Sequence, residues 1–258
     1  MELLNNQFFL ILVSGLFTAL AASLLGAFVV VKRMALVGDV LSHVALPGIG
    51  LALMVNVDPI YGAAAFLLFA AFGTWLLEKK TSLPPEAIIG TFFTATLALG
   101  VILVPSEELF ESLFGNLFAI EIGDALLIIF FSLAIFILTL LLARRLALVI
   151  VAPDLAKSAG FRPDFTYLFF LLLFALSVAL GIKLIGSVLM GALTILPAVS
   201  ARNFSWSLKS FLFFSVTLGL IITFIGILIS NLLSFPPGPS VILSGIVFFA
   251  ISLLFKRS

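Results

Sequence analysis

The sequence predicts an all-α fold, a polytopic transmembrane helical bundle of eight or nine helices in a single transmembrane domain, residues 1–258. Three observations carry that prediction. Hydrophobic residues make up 63% of the 258-residue chain and charged residues only 10%, whereas a soluble domain has about 25% charged residues. The few charges fall between long apolar runs, as they must if the runs lie in lipid. The runs themselves approach the roughly 20 residues that a crossing requires.

Taken in order, the apolar runs place spans near residues 8–31, 37–56, 59–77, 86–104, 124–143, 165–183, 186–201, 210–232 and 240–255. The first, at 24 residues with Glu2 and no basic residue before it, is too long for a signal-peptide core and is expected to stay as a helix. The seventh has only 16 residues, short for a crossing, so a re-entrant segment is the alternative and the count stays at eight or nine. A tight turn is expected from Gly181 to Gly186.

Basic residues near span ends mark the cytoplasmic side. Lys32 and Arg33, Lys79 and Lys80, Arg144 and Arg145, Arg202 and Lys209, and Lys256 and Arg257 all fall on one side if the N-terminus is outside and the C-terminus inside. Lys183 alone falls on the wrong side. This gives a multi-pass protein of the cell (plasma or inner) membrane.

Three loops stand out. No basic residue occurs from Thr81 to Ala143, while Glu107, Glu108, Glu111, Glu121 and Asp124 cluster there, giving an acidic outer surface. Inside, Val151 to Asp164 is the longest break between spans; Pro153 is placed to begin a short helix and Gly160 to end it. Leu155, Ala156 and Ala159 would share its apolar face. Phe235 to Ser240 (FPPGPS) holds three prolines and a glycine and is expected to form a rigid outer turn.

The net charge of +1 carries no signal for nucleic acid, and the absence of cysteine rules out disulfides and thiolate ligands. No phosphate-binding glycine loop followed by lysine is present, so any ATP must be handled by another subunit. The single histidine lacks the company that a hydrolytic triad or an HExxH metalloprotease site needs. None of these enzyme signatures is therefore available to the chain.

That histidine, His43, lies four residues after Asp39, and from Met34 to Val57 no other side chain is charged. Residues i and i+4 share a helix face, which brings their β-carbons to about 6 Å apart. A charge at mid-membrane costs roughly 2.5–3.5 kcal/mol on insertion scales, so ionisable groups there face partners, cavities or transport paths. Carboxylate and imidazole suit Zn²⁺, Mn²⁺ or Fe²⁺ and argue against Cu(I). Two ligands completed by water or a backbone carbonyl would bind weakly enough to release an ion. Pro47 and Gly48 follow, and a proline frees a carbonyl near the site. The plainer readings are an ion pair that fixes helix packing and a simple proline kink.

The run Lys32 to Gly48 (KRMALVGDVLSHVALPG) resembles the signature of the permease subunits of the zinc/manganese/iron ABC importers, the ABC-3 family. Four further segments agree in order and spacing: Phe114 to Ile120 (FGNLFAI), Ala152 to Gly160 (APDLAKSAG), Leu193 to Arg202 (LTILPAVSAR) and Pro237 to Leu243 (PGPSVIL). The wording around PDLA and GPSV leans towards the zinc members. The resemblance implies that Asp39 and His43 contact the metal. It makes Pro153, Asp154, Leu155, Ala156 and Gly160 part of a helix that couples to the ATPase. It also implies a second copy of the chain, two cytoplasmic ABC ATPase subunits and an extracellular or periplasmic metal-binding protein as partners. No cofactor is expected to be bound permanently; Zn²⁺, Mn²⁺ or Fe²⁺ is cargo. Two other classes remain open at this point: an ion-coupled secondary transporter with Asp39 and His43 as a proton relay, and a structural membrane subunit without a path.

Overall fold

The computed structural model describes residues 2–34, 37–81, 83–104 and 121–255; side chains are described except at 2–6, 38, 39, 85, 86, 184, 185 and 187–189. Among these residues the chain forms nine long helices and one short one, with no strand. They are α1 (Glu2–Val31), α2 (Val37–Met54), α3 (Pro59–Lys80), α4 (Pro85–Leu103), α5 (Ile122–Val151), α6 (Pro153–Ser158), α7 (Pro163–Ile185), α8 (Ser187–Phe204), α9 (Leu208–Leu233) and α10 (Pro237–Leu253).

Five of them, α1, α3, α5, α7 and α9, are long and apolar enough to cross a membrane, and shorter apolar helices lie in α2, α4 and α10. At 17–19 residues α2, α4, α8 and α10 reach about 26–28 Å, close to the ~30 Å hydrocarbon core. Helix α5 has 30 residues, about 45 Å. It therefore continues past the expected end at 143, through Arg144 and Arg145, to Val151.

Helix α1 is the centre of the bundle. Its residues 21–30 are buried without interruption, and it packs on α5, α7, α8 and α9. Across it, Ser215 Oγ of α9 donates to the Ser23 carbonyl at 2.8 Å, a hydroxyl finding a backbone partner between helices where no water is available. Helix α8 is the least apolar of the long helices because it faces protein rather than lipid: it is walled by α1, α2, α9 and α10, and Met190, Leu193, Thr194, Ala198, Ser200 and Ala201 are all buried.

Two expected turns come out shorter. Helix α7 runs through Gly181 to Ile185, and the break before α8 is Gly186 alone, at φ +82, a conformation that only glycine adopts without strain. The proline-rich segment is not a turn from Phe235 to Ser240. Pro237 already opens α10, with Ser234 in the left-handed conformation before it. First-turn amides have no helical partner in any case, so proline costs nothing there. Glu107, Glu108, Glu111 and the Phe114–Ile120 segment lie outside the described residues.

Candidate metal path and coupling segment

Helix α2 begins from a fixed corner. At the end of α1 the Lys32 amide bonds to the Phe28 carbonyl (2.9 Å) and the Met34 amide to the Val29 carbonyl (3.0 Å), with Arg33 between them at φ 63. This is the pattern of a left-handed helix stop. The Val37 amide then bonds to the Met34 carbonyl at 3.0 Å, and Val37, Leu41, Val44 and Ala45 sink into the core. The backbone of Asp39 lies in the first turn of α2, where the helix dipole favours a carboxylate; its side chain is outside those described. One turn on, His43 is half-buried, and its ring meets Phe93 of α4 edge-on, with centroids 5.5 Å apart at 64°.

Pro47 lies inside the same helix, four residues after His43. It has no amide to donate back, so the His43 carbonyl loses its ordinary helical partner. Asp39, His43 and Pro47 thus follow one another at single-turn intervals along α2. Below them the backbones of α2 and α3 nearly touch at Gly48 and Gly62, where a β-carbon on either would overlap the other's carbonyl. Among the described residues no cluster of three or more His, Cys, Asp or Glu side chains forms.

The short helix α6 starts with Pro153 at its first position and is followed by Gly160 at φ +80, as the sequence suggests. Its faces are distributed differently from the expectation. Ala156 is fully buried, whereas Leu155 is 64% exposed and Ala159 is exposed as well. The helix turns Ala156 inward, with the Phe161 amide bonding to its carbonyl at 3.0 Å. Pro153, Asp154 and Leu155 are left open to a partner.

Beside α6 lies a cluster that sequence reasoning missed. Lys32 Nζ stands 3.5 Å from Glu78 Oε1 and 3.0 Å from the centroid of the Tyr167 ring, and the Tyr167 hydroxyl donates to Met34 Sδ at 3.6 Å. Trp75 Nε1 donates to the Asp164 carbonyl at 2.9 Å, and Lys79 pairs with the Asp164 carboxylate at 3.3 Å. A cavity of about 350 Å³ runs between these groups and Pro153. Burial pushes the Lys32 ammonium down to about 8, against the partly compensating pull of Glu78.

The opposite end of the bundle accounts for Lys183. Its ammonium bridges Asp124 at 2.8 Å and Asp58 at 3.2 Å, tying the starts of α5 and α3 to the end of α7. A lone basic residue on the wrong side was the signal for a partner. Asp124, read from sequence as part of an open acidic surface, is half-buried and held by this lysine.

The sequence profile of the ABC 3 transport family matches residues 5–256. The chain belongs to that family. It is similar to the manganese import system permease protein ScaB of Streptococcus parasanguinis, 32% identical over 254 residues, covering 95% of this chain and 91% of ScaB. It is similar as well to the high-affinity zinc uptake system membrane protein ZnuB of Haemophilus influenzae, 31% identical over 252 residues, covering 95% and 96%. Its fold matches a chain of the solved structure of PsaBC from Streptococcus pneumoniae in complex with Fab, with a TM-score of 0.83 and 30% identity, covering 94% of this chain and 89% of that one. As an ABC 3 member the chain is a membrane permease subunit and not itself an enzyme. Membership sets aside both the secondary-transporter and the purely structural readings.

Proposed function

We propose that this permease imports a divalent transition metal, manganese or zinc, through a path in which Asp39 and His43 contact the ion. The observation that carries the reading is the position of the only histidine: half-buried in α2, one turn after Asp39 and one turn before Pro47. Relatives at 32% and 31% identity are named for manganese and for zinc, so identity does not favour the zinc members towards which the sequence wording leans. Iron is a third ion that such ligands accept.

In this reading two copies of the chain form the pathway, two cytoplasmic ABC ATPases drive it, and a metal-binding protein outside delivers the ion. The N-terminus lies outside and the C-terminus inside. The ion passes to the neutral imidazole and the carboxylate; closure of the ATPases displaces α6 through Pro153, Asp154 and Leu155, with Ala156 and Gly160 shaping that helix, and the path opens inward. Asp39→Ala and His43→Ala should each abolish metal uptake while membrane insertion stays intact. Transport of manganese or zinc at the wild-type rate by the purified double variant would refute the assignment.

A further inference from the structure

We propose that Lys32, Glu78 and Tyr167 are positioning residues for transport, locking the α1–α2 corner to the start of α7 so that the coupling segment and the metal-bearing helix move together. This rests on the reading of α6 as the coupling segment and adds the step by which its movement reaches α2.

The geometry supplies a continuous contact from one to the other. Four residues separate the end of α6 at Ser158 from Pro163, the first residue of α7. The connection is stiff: the Gly160 amide bonds to the Lys157 carbonyl, the Phe161 amide to the Ala156 carbonyl, and Arg145 of α5 covers the Phe161 ring at 5.3 Å. Displacing α6 therefore displaces the first turns of α7. Tyr167 lies on those turns, buried, with Lys32 over its ring and Met34 at its hydroxyl. Lys32 and Met34 are the two sides of the corner that sets where α2 begins, and Asp39 follows two residues after Val37. Glu78 of α3 pairs with the same lysine.

The chemistry suits positioning better than stabilisation. A partly buried ion pair returns little net stability, because desolvation offsets its attraction, and apolar residues of similar volume often replace such a pair without loss of stability. What apolar residues do not reproduce is direction: an ammonium caught between a carboxylate and a ring face has one preferred position, and coupling needs packed elements that move between discrete arrangements.

The test uses the complete transporter, with its ATPase and metal-binding protein, in proteoliposomes, recording metal uptake and ATP hydrolysis from the same vesicles. In the Lys32→Met, Glu78→Leu double variant, the ions moved per ATP should fall on the order of tenfold, within the usual range of coupling between sites. Tyr167→Leu should do the same, and Tyr167→Phe, which keeps the ring under the ammonium, should restore the wild-type ratio. A double variant that assembles and keeps the wild-type ratio overturns the proposal. If the double variant does not assemble, Tyr167→Leu decides by the same ratio. Leu155→Asp separates the two readings. Loss of uptake in Leu155→Asp with a normal ratio in the cluster variants sinks this proposal alone, whereas normal uptake and ATPase association in Leu155→Asp sinks the coupling reading beneath it.

Discussion

Substituting Gly48 by alanine should be among the most damaging single-methyl changes in this permease. A β-carbon there would overlap the Gly62 carbonyl and stand 2.9 Å from the β-carbon of Phe66. The carbonyl belongs to a helix backbone and cannot rotate away, so α2 and α3 must separate by on the order of 1 Å. Overpacking costs about 1–3 kcal/mol where side chains can adjust, and an unyielding backbone puts this site at about 3 kcal/mol. That is roughly a hundredfold in the folding equilibrium. Gly90 in α4 is the control, since nothing lies within 4 Å of a β-carbon added there; alanine should be neutral or should stabilise by up to about 1 kcal/mol through helix propensity. Unfolding of purified protein in mixed micelles measures both. Gly62→Ala should match Gly48→Ala, and the double variant should lose less than the sum because one contact is broken twice. Uptake should fall in Gly48→Ala, because the helix that moves carries Asp39 and His43. Stability within about 0.5 kcal/mol of wild type for both alanines would refute the close approach of α2 and α3.

At the opposite end of the bundle from α6, Lys183→Met should destabilise by about 1 kcal/mol, a modest loss because the Asp58 carboxylate is partly exposed to solvent; adding Asp124→Asn to Lys183→Met should recover part of it, and unchanged unfolding in Lys183→Met would refute the bridge. At the end of the bundle beside α6, burial lowers the Lys32 ammonium, faced by Glu78, Lys79, Asp164 and Tyr167, from 10.5 to about 8. The folded chain then binds fewer protons than the unfolded chain between these values, so the cost of burying the ammonium is full below pH 8 and recedes as pH rises towards 10.5. Neutral lysine no longer pairs with Glu78, so ions moved per ATP should decline above pH 8 with no loss of stability on this lysine's account. Lys32→Arg, which stays charged, should remove the decline, and identical pH profiles for the two proteins would refute the assignment.

The helices were legible in the sequence because each apolar run is a one-dimensional signal. Their ends were legible only where a local rule decides them, as at Pro153, Gly160 and Pro163. Length misled for α5: the run of apolar residues is broken at Arg144 and Arg145, but a helix satisfies its own backbone whatever its side chains and continues to Val151. Composition misled at Pro237, where three prolines suggest disruption until their position in the first turn is known. For α6, six residues make less than two turns, too few for periodicity to separate Ala156, turned inward, from exposed Leu155.

The candidate site divides along the same line. Asp39 and His43 stand out because they are isolated charges four residues apart, so one helix suffices to bring them together. The other contacts join residues far apart in sequence: Phe93 reaches His43 from α4, Lys32 and Glu78 at the α6 end are 46 residues apart, Trp75 and Asp164 are 89 apart, and Lys183 and Asp58 at the opposite end are 125 apart. None of these pairs leaves a periodic trace. Charge inventory does leave one, however: Lys183 contradicts the charge bias that orients the chain, and the exception is what a bridged lysine at a helix end requires. Lys32 obeys the bias and so carried no such flag. Its place becomes visible only once α7 is folded against α1 and the Tyr167 ring lies beneath the ammonium, at the corner from which the helix carrying Asp39 and His43 starts.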